Sequence, residues 1–260
     1  MHRIQSLLFP ALGRKMVSES VNGSALSVVE RKKGGEGGEC RKVVLLSCGS
    51  FNPPTIAHLR MLEAARDFVH SLVAPHKVVE GIISPASSAY GKAGLLSDHH
   101  RVSMLKKAIE ESDWLRVDSW EASRGEWTRT KQVLAHHLEE CRVKHQSANL
   151  AVWLVGGGDL VDSFTRILPD GSHLWSLEDV RTIVLNYGLV VLQRPGSSPA
   201  KTLESLGLPP SAIHVVHDDV CPNDVSSTRL RKAIAAGRSI AYATPKGVID
   251  YISENGLYQQ

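Results

Sequence analysis

From residue 42 onward, short apolar runs alternate with longer segments in which apolar residues recur every three or four positions. Short runs of this kind are typical of buried strands, and the longer period is typical of amphipathic helices. The pattern predicts strands at 43–48, 78–84, 115–118, 150–155, 188–192 and 212–216. It predicts helices at 55–72, 98–111, 128–144, 159–167, 177–186 and 226–236.

This alternation is typical of an α/β fold with a Rossmann-like, doubly wound parallel sheet and helices on both faces. In such sheets, ligands bind at the carboxyl ends of the strands, near the point where the strand order reverses. Residues 1–41 differ in character and end in the string RKKGGEGGECRK. Such a string is typical of flexible chain, so we expect a flexible extension at 1–41 and a single domain at 42–260.

The most informative local feature is the junction between the first predicted strand and the first predicted helix. It reads GSFNPPTIAHLR from Gly49 to Arg60, with Thr55 at the helix cap and His58 in the first turn. Helix N-termini present unpaired N–H groups and a partial positive charge, which suits them to phosphate. The stretch has neither the Gly-Lys-Ser/Thr ending of a P-loop nor the three-glycine dinucleotide fingerprint. It predicts a different kind of phosphate site, with a purely structural helix cap as the alternative.

A second motif, SSTRLR from Ser226 to Arg231, opens the last predicted helix. Arg229 and Arg231 run against the usual preference for acidic residues at a helix N-terminus, so an anion is needed to explain them. The alternative is that both arginines pair with acidic residues in the segment 218–224.

Composition removes several classes of function. The net charge of +3 and the pI of about 8.7 come without Lys/Arg blocks or interleaved aromatic residues, so we expect no nucleic-acid partner. No apolar stretch approaches the roughly 20 residues that cross a bilayer, so we expect no membrane partner. The four cysteines share no short spacing, which predicts neither a metal site nor a disulfide framework and favours a reducing compartment.

Four further segments carry a resemblance. They are SPASSAYGKAGLLSDHHR from Ser84, DSWEASRGEWTRT from Asp118, LVGGGDLVDSF from Leu154 and NYGLVVLQR from Asn186. Together with the two motifs above, they resemble eukaryotic-type nicotinamide/nicotinate mononucleotide adenylyltransferases, which have the HUP-type nucleotidyltransferase fold. The resemblance runs in order from about residue 43 to residue 258.

The resemblance implies transfer of the adenylyl group of ATP to nicotinamide mononucleotide, and to nicotinate mononucleotide, with release of pyrophosphate. The attacking phosphate has a second pKa near 6, so it is already ionised at neutral pH and needs no general base. Catalysis would then depend on alignment and charge neutralisation. Mg²⁺ is expected as the companion of ATP, with few ligands from the protein.

The resemblance assigns catalytic contacts to His58, Arg229 and Arg231. It implies substrate-binding roles for a larger set: Gly49, Ser50, Phe51, Thr55, Lys92, Trp127, Thr130, Gly157, Asp159, Leu174, Trp175, Arg194, Asn223, Ser227, Thr228 and Leu230. Trp127 and Trp175 match aromatic residues that stack on the pyridine ring, although core packing is an alternative for Trp175.

The sequence also departs from the family pattern. Relatives commonly read Tyr-x-Lys-Lys where this chain has Ala93 in the last position, so one cation is missing on the ATP side. The loop at 165–173 is longer than usual, and Asp159 could serve as a helix cap instead of a ligand.

Two other functions stay open from the sequence: another small-molecule nucleotidyltransferase, and a non-catalytic nucleotide-binding or chaperone protein on this fold. The expected partners are ATP and a pyridine mononucleotide, and the fold suggests a homo-oligomer. We expect an intracellular location, cytoplasmic or nuclear. The basic, acid-free segment 1–18 keeps a mitochondrial transit peptide open, beside an ordinary disordered tail.

Overall fold

A computed structural model describes residues 40–91, 93–194 and 196–259. Lys92 and residues 1–39 of the expected extension lie outside the described residues. The strands, in chain order, are β1 (Arg41–Gly49), β2 (His76–Pro85), β3 (Leu115–Val117), β4 (Ala151–Gly157), β5 (Gly188–Leu192) and β6 (His214–Val216). The helices are α1 (Ile56–Ser71), α2 (Asp98–Ala108), α3 (Trp120–Ser123), α4 (Thr130–Lys144), α5 (Gly158–Asp162), α6 (Leu177–Asn186), α7 (Pro199–Ser205), α8 (Ser227–Ala235) and α9 (Lys246–Glu254).

The strands form one parallel sheet in the order β3-β2-β1-β4-β5-β6. This order confirms the predicted doubly wound α/β fold. The chain runs outward from β1 to β3, then returns to the centre and continues outward from β4 to β6. Because the order reverses between β1 and β4, the connections after these two strands diverge and leave a crevice at their carboxyl ends.

Alternate side chains of β1 build two hydrophobic cores, one on each face of the sheet. Val43 and Leu45 pack with residues of α1, whereas Val44 and Leu46 pack with residues of α4 and α6. All four are fully buried. This explains why the strand reads as an unbroken apolar run, since both of its faces are covered by helices.

A third hydrophobic cluster joins α2, α8 and α9 beside the sheet. Its buried members from these helices are Met104, Ala108, Leu230, Val248 and Ile252. Leu230 was expected to contact substrate, but its side chain is only 3% exposed and is part of this core. The cluster positions α8, which begins at the second sequence motif.

The predicted helix at 159–167 is wrong over its second half. Helix α5 ends at Asp162 and is followed by a single 3₁₀ turn, Ser163–Thr165. The chain then forms an antiparallel bridge between Ile167 and His173. Gly171, with φ of 82°, supplies the left-handed backbone inside that loop.

The sequence pattern does not predict helices α3, α7 and α9. Across the described ranges, none of the helices has the length and apolarity that a bilayer span requires.

Arg101 of α2 ties three loops together from a fully buried position. Its guanidinium donates to the carbonyl groups of Leu96 and Ser50, each at 3.0 Å, and to that of Ala86. It also pairs with Asp98. Buried backbone carbonyls require donors, so this one side chain fixes the loop that follows β1 against the loop that follows β2.

Arg101→Met is therefore expected to lower the free energy of unfolding by about 3 kcal/mol, because it leaves buried acceptors without a donor. Urea denaturation measures the change. Lys106→Met is the matched control, since Lys106 is an exposed cation on the same helix. Equal losses in the two variants would contradict the role given to Arg101.

Candidate active site

A cavity of about 930 Å³ lies at the carboxyl ends of the central strands, where the strand order reverses. Its volume falls within the range of small-molecule binding sites. Most of the residues that the sequence assigned to the site line this cavity: Gly49, Ser50, Phe51, His58, Trp127, Thr130, Gly157, Asp159, Leu174, Trp175, Arg194, Ser227, Thr228 and Arg231.

His58 is held by the cap of α1. Its Nδ1 accepts a hydrogen bond from the Thr55 backbone N–H at 3.0 Å and lies 2.8 Å from Thr55 Oγ1. Thr55 is itself fully buried and supports His58 instead of lining the cavity. Because Nδ1 is the acceptor, the proton of the neutral ring is on Nε2.

The electrostatic surroundings keep His58 neutral. Burial, with a smaller contribution from the Arg194 cation, lowers the pKa of His58 to about 4. At neutral pH the ring is therefore an uncharged donor through Nε2, and the capping interaction also holds the ring in place. Phe51 stacks edge-on against it, with ring centroids 5.1 Å apart.

The two sequence motifs meet in space through the loop between β1 and α1. Ser227 Oγ donates to the Pro53 carbonyl at 2.7 Å, although the two residues are 174 positions apart in the chain. Arg231 Nη1 donates to the Asn52 carbonyl, also at 2.7 Å. These bonds place the start of α8 against the start of α1, so two helix N-termini border one cavity.

The two arginines of the second motif have different surroundings. Arg231 lines the cavity and has Thr228 Oγ1 3.4 Å from its second nitrogen, Nη2. Arg229 is 63% exposed, does not line the cavity, and forms a 2.5 Å ion pair with Asp224. Pairing with an acidic residue of the segment 218–224, the alternative for both arginines, is thus observed for Arg229 but not for Arg231.

Asn223 also lies off the cavity wall. Its side chain bridges its own loop, donating to the Cys221 carbonyl at 2.9 Å and accepting from the Val225 N–H at 3.3 Å. Both bonds shape the turn that leads into α8.

The glycines at the end of β4 allow a close approach by the loop after β5. A Cβ atom on Gly157 would lie 2.5 Å from an Asp159 carboxylate oxygen and 3.1 Å from Arg194 Nε. A Cβ atom on Gly158 would lie 2.1 Å from Ser197 Oγ. Arg194 is thereby brought into the cavity near His58, while Asp159 sits in the first turn of α5 with 74% of its side chain exposed.

The two tryptophans also line the cavity. Trp127 is 48% exposed, which is unusual for so large an apolar side chain. Trp175 packs against Phe164, with ring centroids 5.0 Å apart, and its indole N–H donates to Ser163 Oγ at 3.0 Å. Trp175 therefore serves both as core packing and as cavity wall.

Several charged residues of the cavity were missed from the sequence. Asp179 is 4% exposed and pairs with Lys131 at 2.5 Å and Arg129 at 3.2 Å. Glu121 is also 4% exposed and accepts a 2.7 Å hydrogen bond from Ser84 Oγ. The available signal for Glu121 was its position just after the third predicted strand, at the carboxyl edge of the sheet.

One group outside the cavity has the side chains of a metal site. His136, His137 and Glu140 of α4 bring ligand atoms within 4.8 Å of one another. The Arg116 guanidinium, however, donates to both carboxylate oxygens of Glu140, at 3.0 and 2.9 Å. That cation already compensates the carboxylate, so the group fits an ion-pair network better than a metal.

Comparison with known proteins places the chain in a family. The cytidylyltransferase-like family profile matches residues 46–233. The nicotinamide/nicotinic acid mononucleotide adenylyltransferase 2 of Caenorhabditis elegans is 50% identical over 224 residues, covering 85% of this chain and 99% of the relative. The corresponding enzyme 1 of Bos taurus is 36% identical over 262 residues, covering 86% and 91%.

A solved structure shows the same fold. Plasmodium falciparum nicotinic acid mononucleotide adenylyltransferase, complexed with NaAD, aligns with a TM-score of 0.60 at 22% identity and covers 84% of this chain and 98% of its own. The sequence matches confirm the resemblance that the motifs suggested. The chain belongs to the nicotinamide/nicotinic acid mononucleotide adenylyltransferase family.

Proposed function

We propose that this protein transfers the adenylyl group of ATP to nicotinamide mononucleotide, and also to nicotinate mononucleotide, forming NAD or its deamido form. The observation that carries the proposal is the meeting of His58 and Arg231 at one cavity, from motifs far apart in the chain. Trp127 and Trp175 line the same cavity and offer flat apolar surfaces for a pyridine ring.

In this reaction an oxygen of the mononucleotide phosphate bonds to the α-phosphorus of ATP, and the bond from that phosphorus to the bridging oxygen breaks. Pyrophosphate leaves with that oxygen. Two anions must approach each other, so the protein has to neutralise charge and hold the attacking and leaving oxygens in line. It does not have to remove a proton, because the attacking phosphate is already ionised at neutral pH.

The ATP end of the cavity supplies these functions. Neutral His58 donates through Nε2 to a phosphate oxygen and keeps its proton throughout. Arg231 and Arg194 place cations on the same cavity. The N-terminus of α1 adds a partial positive charge. Ala93 also lines the cavity, so the position at which relatives carry a second lysine faces the site and contributes no charge.

ATP enters as its Mg²⁺ complex. The carboxylate of Asp159 is 74% exposed, faces the cavity and has only a long contact with Arg194, at 3.9 Å, so it is suited to contact the hydrated ion. The carboxylate of Asp179 is buried and paired with Lys131 at 2.5 Å. Mg²⁺ usually keeps several waters and takes few protein ligands, which fits this limited donor set.

A sibling enzyme that makes a different nucleotide conjugate is disfavoured by the two tryptophans on the cavity wall. The reducing, intracellular compartment expected from the spacing of the cysteines stays a prediction. The homo-oligomer expected from the fold stays a prediction, which light scattering of the purified protein checks.

The purified protein should convert MgATP and nicotinamide mononucleotide into NAD and pyrophosphate. His58→Ala should lower kcat/KM about 100-fold or more, because a preorganised donor to the reacting phosphates is lost. Chromatographic detection of the dinucleotide measures the rate, and urea denaturation checks that the variant is folded. The proposal fails if the wild-type protein forms no dinucleotide from either the amide or the acid mononucleotide.

The effect of His58→Ala should not depend on pH between 6 and 8.5. The lowered pKa, about 4, means that His58 is protonated only well below this interval and stays neutral across it. Titration of the substrate phosphate affects wild type and variant alike, so the ratio of their kcat/KM values isolates His58. A ratio that changes severalfold around pH 6.5 would show that His58 acts in its charged form.

Arg231 and Arg229 should differ in importance although both lie at the start of α8. Arg231→Met should lower kcat/KM for ATP about 100-fold, because it removes a cation from the cavity. Arg229→Met should cost less than about 5-fold, because it removes an exposed surface pair. Steady-state kinetics with ATP varied measures both, and similar losses would contradict the separate roles.

A further inference from the structure

Glu121 is a buried carboxyl group on the floor of the cavity to which the reaction described above gives no task. It lies in α3, beside the carboxyl ends of β1 and β2. One of its oxygens, Oε2, accepts the 2.7 Å hydrogen bond from Ser84. The other oxygen, Oε1, accepts no hydrogen bond from the described residues. It is not fully enclosed by protein atoms. Since Glu121 lines the cavity, this oxygen faces it.

No cation within hydrogen-bond distance compensates this carboxyl group among the described residues. The Arg101 guanidinium of α2 acts on it electrostatically, but its hydrogen bonds go to backbone carbonyls and Asp98. The Cys48 thiol of β1 is a further neighbour. Burial therefore dominates and raises the pKa of Glu121 to about 7, against the opposing effects of Ser84 and Arg101.

The position of Glu121 indicates which substrate it meets. Ser84, its hydrogen-bond partner, pairs with Cys48 in the register of β1 and β2. Cys48 packs against the core on the α4 and α6 side of the sheet, and Trp175 packs against the same core. Phe51, next to His58, belongs to the core on the opposite, α1 side. Glu121 thus lies on the side of the pyridine-stacking residues and away from the phosphate-binding histidine.

We propose that Glu121 is a further binding residue for the pyridine mononucleotide, with Oε1 accepting a hydrogen bond from a donor group of its nucleoside. The inference rests on the proposed function, because it concerns the pyridine substrate of that reaction. Two donors have the required chemistry. The ribose hydroxyls occur in both the amide and the acid mononucleotide, whereas the carboxamide N–H occurs in the amide alone.

The chemistry favours such a contact. Above pH 7 the carboxyl group of Glu121 is mostly ionised. A buried carboxylate oxygen without a donor is then costly, and a hydrogen bond to a charged acceptor is stronger than one between neutral groups. A substrate donor removes that cost at the moment of binding. Oε1 without a donor lowers the stability of the free protein. The same oxygen makes binding of the mononucleotide tighter and better oriented.

The test is the dissociation constant of each mononucleotide, measured by calorimetry for wild type and Glu121→Met, together with KM for both mononucleotides and for ATP. We expect Glu121→Met to raise the dissociation constant and KM for the mononucleotide about 10- to 100-fold. The KM for ATP should change less than about twofold, since His58 and Arg231 are untouched. Glu139→Met is the control, because it removes an exposed carboxylate of α4 that does not line the cavity and should leave mononucleotide affinity within about threefold.

The two mononucleotides separate the two donors. An equal loss for amide and acid assigns the contact to a ribose hydroxyl, and a loss confined to the amide assigns it to the carboxamide. Unchanged affinity for both, in a folded variant, overturns the proposal, and so does a parallel rise in KM for ATP. If wild type binds the mononucleotides but forms no dinucleotide, the proposed function fails while the binding comparison still decides the role of Glu121. If wild type binds neither, both proposals fail.

Glu121→Gln is a second variant, and it should be at least as stable as the wild type at neutral pH because its side chain carries no charge to bury. The pKa of about 7 in the folded protein lies above the ordinary value of 4.5, so folding takes up a proton between these pH values. Stability of the wild type should therefore fall as pH rises through this interval, and that contribution is absent from the glutamine variant. The Tm of Glu121→Gln relative to wild type should rise from pH 5 to pH 8. At pH 8, where Glu121 is mostly ionised, the mononucleotide KM of the glutamine variant should still exceed that of wild type about 10-fold, because a charged acceptor has become neutral.

Discussion

The site depends on backbone carbonyl groups in the loop between β1 and α1 that α8 has to satisfy. The carbonyls of Asn52 and Pro53 find their donors in Arg231 and Ser227, which come from the far end of the chain. A buried carbonyl without a donor is costly, so folding of the loop requires docking of α8. The same contacts that complete the loop bring the cation of Arg231 to the cavity that His58 also lines.

Around this contact, the protein controls charge by burial. His58 is kept neutral by burial and by the nearby Arg194 cation, and its bond from the Thr55 N–H leaves the ring proton on Nε2. It is therefore a fixed donor, which suits the proposed reaction because that reaction needs no base. The Arg101 side chain is fully buried, and its charged guanidinium donates hydrogen bonds to loop carbonyls. Glu121 has one oxygen without a donor among the described residues, as expected for a residue that is completed by its ligand.

The predictable part of the fold came from long, uninterrupted patterns. The bounds of α6 and β5 agree with the sequence prediction at every residue, since both segments have clear periodicity and sharp ends. The helix predicted at 159–167 was too long, because apolar residues after Thr165 serve a loop closed by the Ile167–His173 bridge. The four-residue helix α3, which carries Glu121, is too short for any periodicity to indicate.

The sequence by itself determined the interactions that close within a few residues. The pair Thr55 and His58, three positions apart, forms a helix cap whatever packs around it, and the unbroken apolar run of β1 requires cover on both faces. Only the tertiary structure decided between Arg229 and Arg231, or gave Glu121 its place in the cavity. Residues two apart on a helix point about 200° apart, so the direction of each arginine depends on how α8 docks. That docking is set by contacts with residues 174 and 179 positions away, which no local pattern encodes.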